Sequence, residues 1–530
     1  MDINTINKCL ALAAALVALV PAAMAAVDSM HFFQLNSYRF DTHTKWIKEN
    51  TRKYLTHIIF AILMLIALLF DAGIRLKAAS LIVLLIASVP SEKPKKAKKP
   101  LVYTPRVKRM LFTEVLFSAL LLGLVSIPSF GGTVKHETYF LITVALLYAF
   151  APVLCLVANF INKPVELSVN QYYTNDAKRI LKSCPNLKII GITGSYGKTS
   201  VKYYLTTLLK TKYNVLMTPE SYNTPMGVVK TIRGSLKATD EIFVCEMGAK
   251  WVGDIKELCD IVHPHHGVIT SIGPQHLESF KTLDAVKNTK FELCDSLPEG
   301  GMLFLNGDDE NIRDHGCNRP YISYSIDGDA DYVATDLQVS ERGTSFTVKT
   351  RDGETEEFST RLIGRLNVLN IVGAIAISHK MGISLKALRP AVRRLEGVPH
   401  RLQLTDKGGV TVIDDAYNSN PSGTKAALEA LSLFDGYKIL VTPGMVELGE
   451  KQNELNREFG RNAAAVCDYV VLVGYKQAIP IKAGLVDKKY PEEKIFVAGD
   501  INEALSHVYA LNSEGRKKII LLENDLPDNY

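Results

Sequence analysis

The chain has 530 residues, of which 47% are hydrophobic, with a formal net charge of +6 and eight cysteines. At roughly 150 residues per unit this length calls for three or four domains, and so small a basic excess gives no case for nucleic-acid binding. Cys9, Cys155, Cys184, Cys245, Cys259, Cys294, Cys317 and Cys467 form no CxxC pair or zinc-type spacing, so reduced thiols are expected, with neither disulfides nor a structural metal.

Before about Ile161 the chain is built of long apolar runs. Crossing the hydrocarbon takes about 20 mostly apolar residues. Charge-free runs of that order span Cys9 to Val27, Tyr54 to Phe70, Val115 to Val134 and Thr138 to Asn162, with a shorter one at Ala78 to Ser91 joined to its predecessor through "DAGIRLK". These predict a transmembrane region of about five helices over residues 1–165. The stretch "SEKPKKAKKPLVYTPRVKRM" carries eight Lys or Arg against one Glu, and short basic loops stay in the cytoplasm. Counting outward places the N-terminus outside and everything after Asn162 inside: a multi-pass cell-membrane protein with cytoplasmic catalytic domains. The basic loop also suits anionic membrane lipids. For the first run the alternative is a cleaved signal peptide, because "AAMAA" resembles a small-residue cleavage site.

From Leu187 short β-rich runs alternate with helical ones: "LKIIGITG", a helix from Lys198, "NVLMTP", a helix around "GVVKTIRGSL", "EIFVCEMG", "GVITSIG", a helix through "LDAVKNTKFELCDSL" and "GMLFLNGDD". A stretch of hairpin character, "YISYSIDGDADYVATDLQVSERGTSFTVKT", precedes the helix "NVLNIVGAIAISHKMG". After "LEGVPHRLQ" the alternation restarts and runs through "VTVIDDAY", "YKILVTPG", "YVVLVG" and "KIFVAGD" to "KIILLEND", with helices between. The predicted fold class is therefore α/β. The helical membrane region is followed by a parallel-sheet domain (166–396), expected to be of the P-loop, ATP-binding type from the glycine-rich run that follows its first strand, "GITGSYGKTS", and by a Rossmann-like C-terminal domain (397–530). A nucleotide site at their junction would let closure assemble the catalytic groups.

"GITGSYGKTS", Gly191 to Ser200, lies between a strand-like and a helix-like run. Its glycines let backbone N–H groups approach phosphate oxygens, and the next helix aims its positive end at them. Lys198 would neutralise β/γ-phosphate charge and Thr199 would offer its hydroxyl to Mg²⁺. The spacing departs from G-x-x-x-x-G-K-[ST], since Gly191 comes one residue early. Carboxylates that hold Mg²⁺ belong at strand ends near such a loop, which singles out Glu246 in "FVCEMGAK". His276 in "SIGPQHLESF" also follows a strand, where a histidine taken alone serves structure more often than a metal.

In this order the motifs resemble the Mur ligase superfamily, the ATP-dependent amide ligases of cell-wall synthesis. The resemblance is strongest to the branch that adds D-alanyl-D-alanine to a UDP-linked muramoyl tripeptide, and it covers roughly Leu187 to Asp500. "GITGSYGKTS" looks like that family's P-loop, "TPESYNTPMGV" its substrate-side loop, "EMGA" its magnesium glutamate and "IGPQHLESF" its histidine motif. "GVPHR" is similar to its interdomain arginine motif, "IDDAYNSNPSGTKAAL" to an ATP-binding strand and helix, and "GMVELGE" to a signature of that branch.

The resemblance implies a role for each matching residue. Gly194, Gly197, Lys198, Thr199 and Ser200 would bind ATP phosphates, and Asn306, Asp308, Asn370, His400, Arg401 and Asp415 would contact the nucleotide. Thr199, Glu246 and His276 would hold magnesium, with two ions expected, and Lys290 in "NTKFEL" would carry a carbamate that helps hold the second. Lys198, Lys290, His276 and Arg401 form the implied catalytic set, and Tyr222, Asn223 and Thr224 would meet the muramoyl substrate. In the implied chemistry ATP converts a carboxylate into an acyl phosphate, an amine attacks, and the tetrahedral intermediate expels phosphate.

Several features depart from the family pattern. Apolar runs stand where a UDP-gripping domain is usual, Leu366 replaces a histidine, Gly444 replaces an aspartate, and "LLENDLPDNY" lacks the usual "KGSR"-like ending. The acceptor is therefore open between a muramoyl-peptide-like, a lipid-linked and a poly-γ-glutamate-type substrate, and the amine between an amino acid and a dipeptide. A P-loop transporter or regulator is the rival reading, but neither an LSGGQ-like signature nor NKxD is visible.

Overall fold

The computed structural model describes residues 3–50, 100–126, 136–417 and 419–525, with isolated positions between 55 and 66. The chain divides between Gln171 and Tyr172 into two compact units. The described helices of the first are α1 (Ile3–Leu35), α2 (Phe40–Glu49), α3 (Pro105–Ser126), α4 (His136–Ala149) and the start of α5 (Ala151–Lys182). Small residues let them approach closely: Ala22 and Ala25 pack with Val144, Ala145 and Tyr148. Phe32 stacks on Trp46 with ring centroids 4.2 Å apart.

The expected five-helix, multi-pass membrane region is corrected here: among the described residues no single helix is long and apolar enough to cross a membrane. The run Thr138 to Asn162 breaks at Phe150. The pair Ile142–Ala149 and Ala151–Lys182 has the length and composition to span, but is bent by 79°. α3 opens on Arg106, Lys108 and Arg109, carries Glu114 and is described as far as Ser126, and the rest of the run Val115 to Val134 lies outside the described residues. The described side chains of α1 begin at Leu19 and include Asp28 and the buried Ser29 and His31. Most of the run Tyr54 to Phe70, all of Ala78 to Ser91, and residues 91–99 of the basic loop lie outside the described residues.

The second unit carries two sheets. The first contains β1 (Lys188–Thr193), β2 (Val215–Met217), β3 (Ile242–Glu246), β4 (His266–Ile269), β5 (Leu303–Asn306), β6 (Ile322–Ile326), β7 (Tyr332–Ser340), β8 (Gly343–Thr350) and β9 (Thr355–Thr360). Their spatial order is β2-β3-β1-β4-β5-β6-β7-β8-β9. Pairing is parallel from β2 to β7, and β7, β8 and β9 form antiparallel hairpins. The hairpin character expected from Tyr321 therefore begins only at β7, and β6 extends the parallel set. Around it run α6 (Lys198–Leu209), α7 (Pro225–Ser235), α8 (Asp254–Val262), α9 (Leu277–Phe280), α10 (Leu283–Asp295), α11 (Glu310–His315), α12 (Arg365–Lys380) and α13 (Leu385–Arg393).

Strands buried on both faces read as continuous apolar runs, and β1 shows why. Ile190 and Ile192 enter a core with Leu205, Leu208 and Val372 of α6 and α12. Ile189, pointing the other way, joins Val228, Leu258 and Leu293 of α7, α8 and α10. The second sheet runs β10 (Gln403–Lys407), β11 (Val410–Asp415), β15 (Lys518–Glu523), β12 (Tyr437–Thr442), β13 (Tyr469–Val473), β14 (Ile495–Ala498), and is parallel except for β10. Its helices are α14 (Pro421–Ser432), α15 (Gln452–Ala463), α16 (Ala478–Asp487) and α17 (Ile501–Ala510). α8, α13 and α16 and strand β10 did not stand out in the sequence.

The first sheet reverses its strand order at β1, whose neighbours are β3 and β4. Ligands of open α/β sheets bind beyond the carboxyl ends of the strands at such a switch point. Glu246 closes β3, Asn306 closes β5, and the glycine-rich loop leaves β1 at that same end.

Candidate active site

The loop after β1 depends on its glycines. Gly194 has φ +147°, and a Cβ there would lie 2.2 Å from Thr270 Oγ1. Gly197, at φ +79°, precedes the first turn of α6, and a Cβ on it would meet Asn370 Oδ1 at 2.7 Å. Ser195 N donates to Ser271 O (2.7 Å) and Tyr196 N to Ser271 Oγ (2.9 Å), which fixes the loop against the end of β4. Lys198 Nζ folds back onto the carbonyls of Gly194 (2.8 Å) and Ser195 (3.1 Å). Enclosure pushes its ammonium down to about 8; Glu246 opposes that fall and Arg401 adds to it.

Glu246 gathers the residues around it. Its Oε1 accepts from Thr199 Oγ1 (3.2 Å) and Asn223 Nδ2 (3.0 Å). Its Oε2 lies 3.0 Å from Lys202 Nζ, an ion pair with side chains 2% and 0% exposed, and receives no aligned hydrogen bond. Burial raises the Glu246 carboxyl, but Lys202 and Lys198 outweigh it and hold the group below its ordinary value. Thr199 and Glu246 thus bring hard oxygen donors to one point, the type magnesium takes. Among the described residues no group of three or more His, Cys, Asp or Glu is placed to hold a metal.

His276, at φ +53°, lies with Nδ1 2.5 Å from Glu447 Oε2, and Glu447 Oε1 also accepts from Lys250 Nζ at 3.1 Å. Burial holds the imidazole below its usual value despite Glu447, so at neutral pH it donates Nδ1–H as a neutral ring. Burial would raise Glu447, but His276 and Lys250 prevail and leave it at about 2. Lys290 is 2% exposed on α10, and among the described residues its amine has no hydrogen-bond or salt-bridge partner. Burial, aided by Lys198, pushes it well below the ordinary lysine range against the pull of Asp254 and Glu292.

Two cavities share Tyr196, Gly197, Arg401 and Asn420 as a common wall. One, of about 410 Å³, is also lined by Ser200, Asn306, Asp308, Asn370 and Asp415. The other, of about 370 Å³, is lined by Lys198, Thr199, Asn223, Thr224, Glu246 and His276, with Lys250 and Tyr417. Arg401 stacks over the Tyr417 ring, 4.5 Å from its centroid. Burial raises the Asp415 carboxyl and Arg401 opposes it. Glu523, fully buried beside Asp415, is raised well above the carboxylate range by burial and then by that neighbour.

Not every expected residue reaches these walls. His400 is exposed, with Nδ1 2.8 Å from Asp414 Oδ2. Tyr222 takes a hydrogen bond from Lys230 (3.0 Å) at the surface. Gly194 and Lys290 stand behind the cavities, not on them. Sequence reasoning missed Lys202, Lys250, Asn420 and the role of Glu447. Lys202 was accessible to it, because a residue four after Lys198 shares its helix face. Glu447 sat within a recognised signature but comes from the second sheet, and its partners are nearly two hundred residues away in sequence.

Comparison with known proteins agrees with this arrangement. Residues 192–378 match the Mur ligase middle domain and residues 400–522 the Mur ligase, glutamate ligase domain. The UDP-N-acetylmuramoyl-tripeptide–D-alanyl-D-alanine ligase of Escherichia coli (strain K12) is 30% identical over 335 residues, covering 60% of this chain and 73% of that protein. The Bacillus subtilis (strain 168) protein of the same name is 33% identical over 278 residues, 52% of this chain and 59% of its own. The chain thus spans between 59% and 73% of the length of these two relatives. The crystal structure of MurF ligase from Thermotoga maritima in complex with ADP superposes with TM-score 0.60 at 27% identity, covering 67% of this chain and 80% of that one. With the glycine-rich loop at the switch point of one sheet and Arg401 reaching it from beside the other, these matches settle the affiliation: the chain belongs to the Mur ligase family.

Proposed function

We propose that the protein is an ATP-dependent amide ligase of peptidoglycan precursor synthesis, joining a muramoyl-peptide carboxylate to D-alanyl-D-alanine with release of ADP and phosphate. Residues 166–396 act as the ATP-binding domain and 397–530 as the domain that closes on it. The observation that carries this reading is the pair of cavities meeting at Gly197 and Arg401. ATP in the one lined by Asn306, Asn370 and Asp415 points its terminal phosphate toward a carboxylate in the other. Relatives bearing the name of this dipeptide ligase favour that acceptor and amine over a polyglutamate-type polymer.

A carboxylate is a poor electrophile, so it is first phosphorylated. Lys198 leaves the loop carbonyls for the β/γ-phosphate oxygens, and Arg401 offsets the charge that develops as the phosphoryl group moves. Magnesium held by Thr199 and Glu246 would supply further positive charge at that transfer. Burial pushes the Lys290 ammonium well below the ordinary lysine range and so favours the uncharged amine, the form that combines with carbon dioxide to give a carbamate. His276 is oriented by Glu447 on the same wall, while Asn223 and Thr224 face the acceptor. The dipeptide amine then attacks the acyl phosphate, and phosphate leaves. Purified protein incubated with ATP, Mg²⁺, UDP-linked muramoyl tripeptide and D-alanyl-D-alanine should release phosphate only when both substrates are present, with an amide product whose mass is that of the two substrates less one water. Phosphate release that needs neither substrate refutes the reading.

A further inference from the structure

Away from the catalytic cavities, Cys294 Sγ and Cys317 Sγ lie 3.0 Å apart. Cys294 is buried on the last turn of α10, while Cys317 is partly exposed in the segment after α11. Both line a separate cavity of about 470 Å³. The segment is fastened to α10 at three levels. His315 Nε2 lies 3.0 Å from Asn288 Oδ1, and the His315 ring stacks on Phe291 with centroids 3.9 Å apart. Arg319 donates to the carbonyls of Cys294 (2.9 Å), Leu297 (3.1 Å) and Pro298 (2.8 Å), closing the C-terminal end of the helix. The two sulfurs are therefore held together by contacts that do not involve them, and a bond between them needs little chain movement.

We propose that Cys294 and Cys317 are a reversible dithiol–disulfide pair that takes a peroxide as its oxidant. The partly exposed Cys317 sulfur attacks the peroxide, the O–O bond breaks, and a sulfenic acid forms with release of one water. Cys294 sulfur then attacks Cys317 sulfur; the S–S bond forms, the S–O bond breaks, and hydroxide leaves with the Cys294 proton as a second water. Two thiols are oxidised by two electrons and the peroxide is reduced to two waters. Burial, and secondly Cys317, keep the Cys294 thiol up at about 12, so it is the resolving partner and not the first to react. The bond would clamp the helix that carries Lys290 to the segment that follows the Asn306–Asp308 nucleotide loop, giving a redox-sensitive strap behind the catalytic cavity.

The test is peptide mass spectrometry of the folded full chain after brief hydrogen peroxide treatment and alkylation, with and without dithiothreitol. The expected result is a Cys294–Cys317 linked peptide lighter by two hydrogens, formed before any other cysteine changes and lost on reduction. The single variant Cys317→Ser should abolish the linkage and leave Cys294 alkylated only after unfolding. Separate alkylation of both thiols after oxidation, linkage of either to a different cysteine, or irreversible oxidation of Cys317 without linkage overturns the proposal.

Discussion

Replacing Lys202 with methionine tests how the buried Glu246 carboxylate is kept ionised. Lys202 is fully enclosed, its ammonium 3.0 Å from Glu246 Oε2 and bonded at 2.5 Å to the Glu220 carbonyl. Methionine keeps most of the apolar stem, so the substitution isolates the charge. Removing one partner of a buried pair costs about 3 to 5 kcal/mol, because the remaining charge is left uncompensated. Here Glu246 retains Lys198 nearby and the hydrogen bonds of Thr199 and Asn223, so the low end, about 3 kcal/mol, is expected. Glu246→Gln in the same background removes the stranded charge, and the double variant should recover roughly 1.5 kcal/mol or more of the summed single losses. Urea unfolding followed by far-ultraviolet circular dichroism, run as a double-mutant cycle, measures both quantities. A Lys202→Met loss below about 1 kcal/mol, or strictly additive losses, would show that the pair does not hold Glu246 charged.

Nucleotide binding should take up protons in the alkaline range. Phosphate favours charged Lys198, which burial pushes down to about 8, so affinity for ATP should fall as pH rises above about 8, which calorimetry in buffers of differing ionisation heat will read. For Glu447, depressed to about 2 from 4.5, the contribution to stability is present above pH 4.5 and lost as pH falls toward 2; it amounts to about 3 kcal/mol. Glu447→Gln should flatten the acid limb of the pH–stability curve in that window, and an unchanged limb would contradict the assignment. Lys290→Ala should nearly abolish ligation, with partial rescue by short carboxylic acids; full unrescued activity would refute the carbamate role. Gly194→Ala places a methyl 2.2 Å from Thr270 Oγ1 at φ +147°, and should lower stability by about 2 kcal/mol or more together with nucleotide affinity.

The membrane reading shows where sequence reasoning overreached. Length and freedom from charge locate apolar runs, but they say nothing about the bend at Phe150 that divides one run between α4 and α5. Helical continuity is set by what each side packs against. Conversely, the loop after β1 and Glu246 were legible because strand ends and glycine spacing are local signals. Tyr222 and His400 were placed by motif alignment alone. The structure turns them to Lys230 and Asp414, since a residue's neighbour in a motif does not fix its rotamer or its exposure.

By itself the sequence determined the parallel α/β organisation of the second unit, because buried parallel strands must be continuous apolar runs and helices must return the chain between them. It also determined the glycine-rich loop after β1, whose two positive-φ positions, Gly194 and Gly197, only glycine occupies freely. Only the tertiary structure decided which distant charges meet: Lys202 beneath Glu246, Glu447 between His276 and Lys250, Glu523 against Asp415, and the Cys294 and Cys317 sulfurs side by side. Such pairings arise from sheet order and helix packing, and Coulomb and thiol chemistry act over a few ångströms of space whatever the separation along the chain.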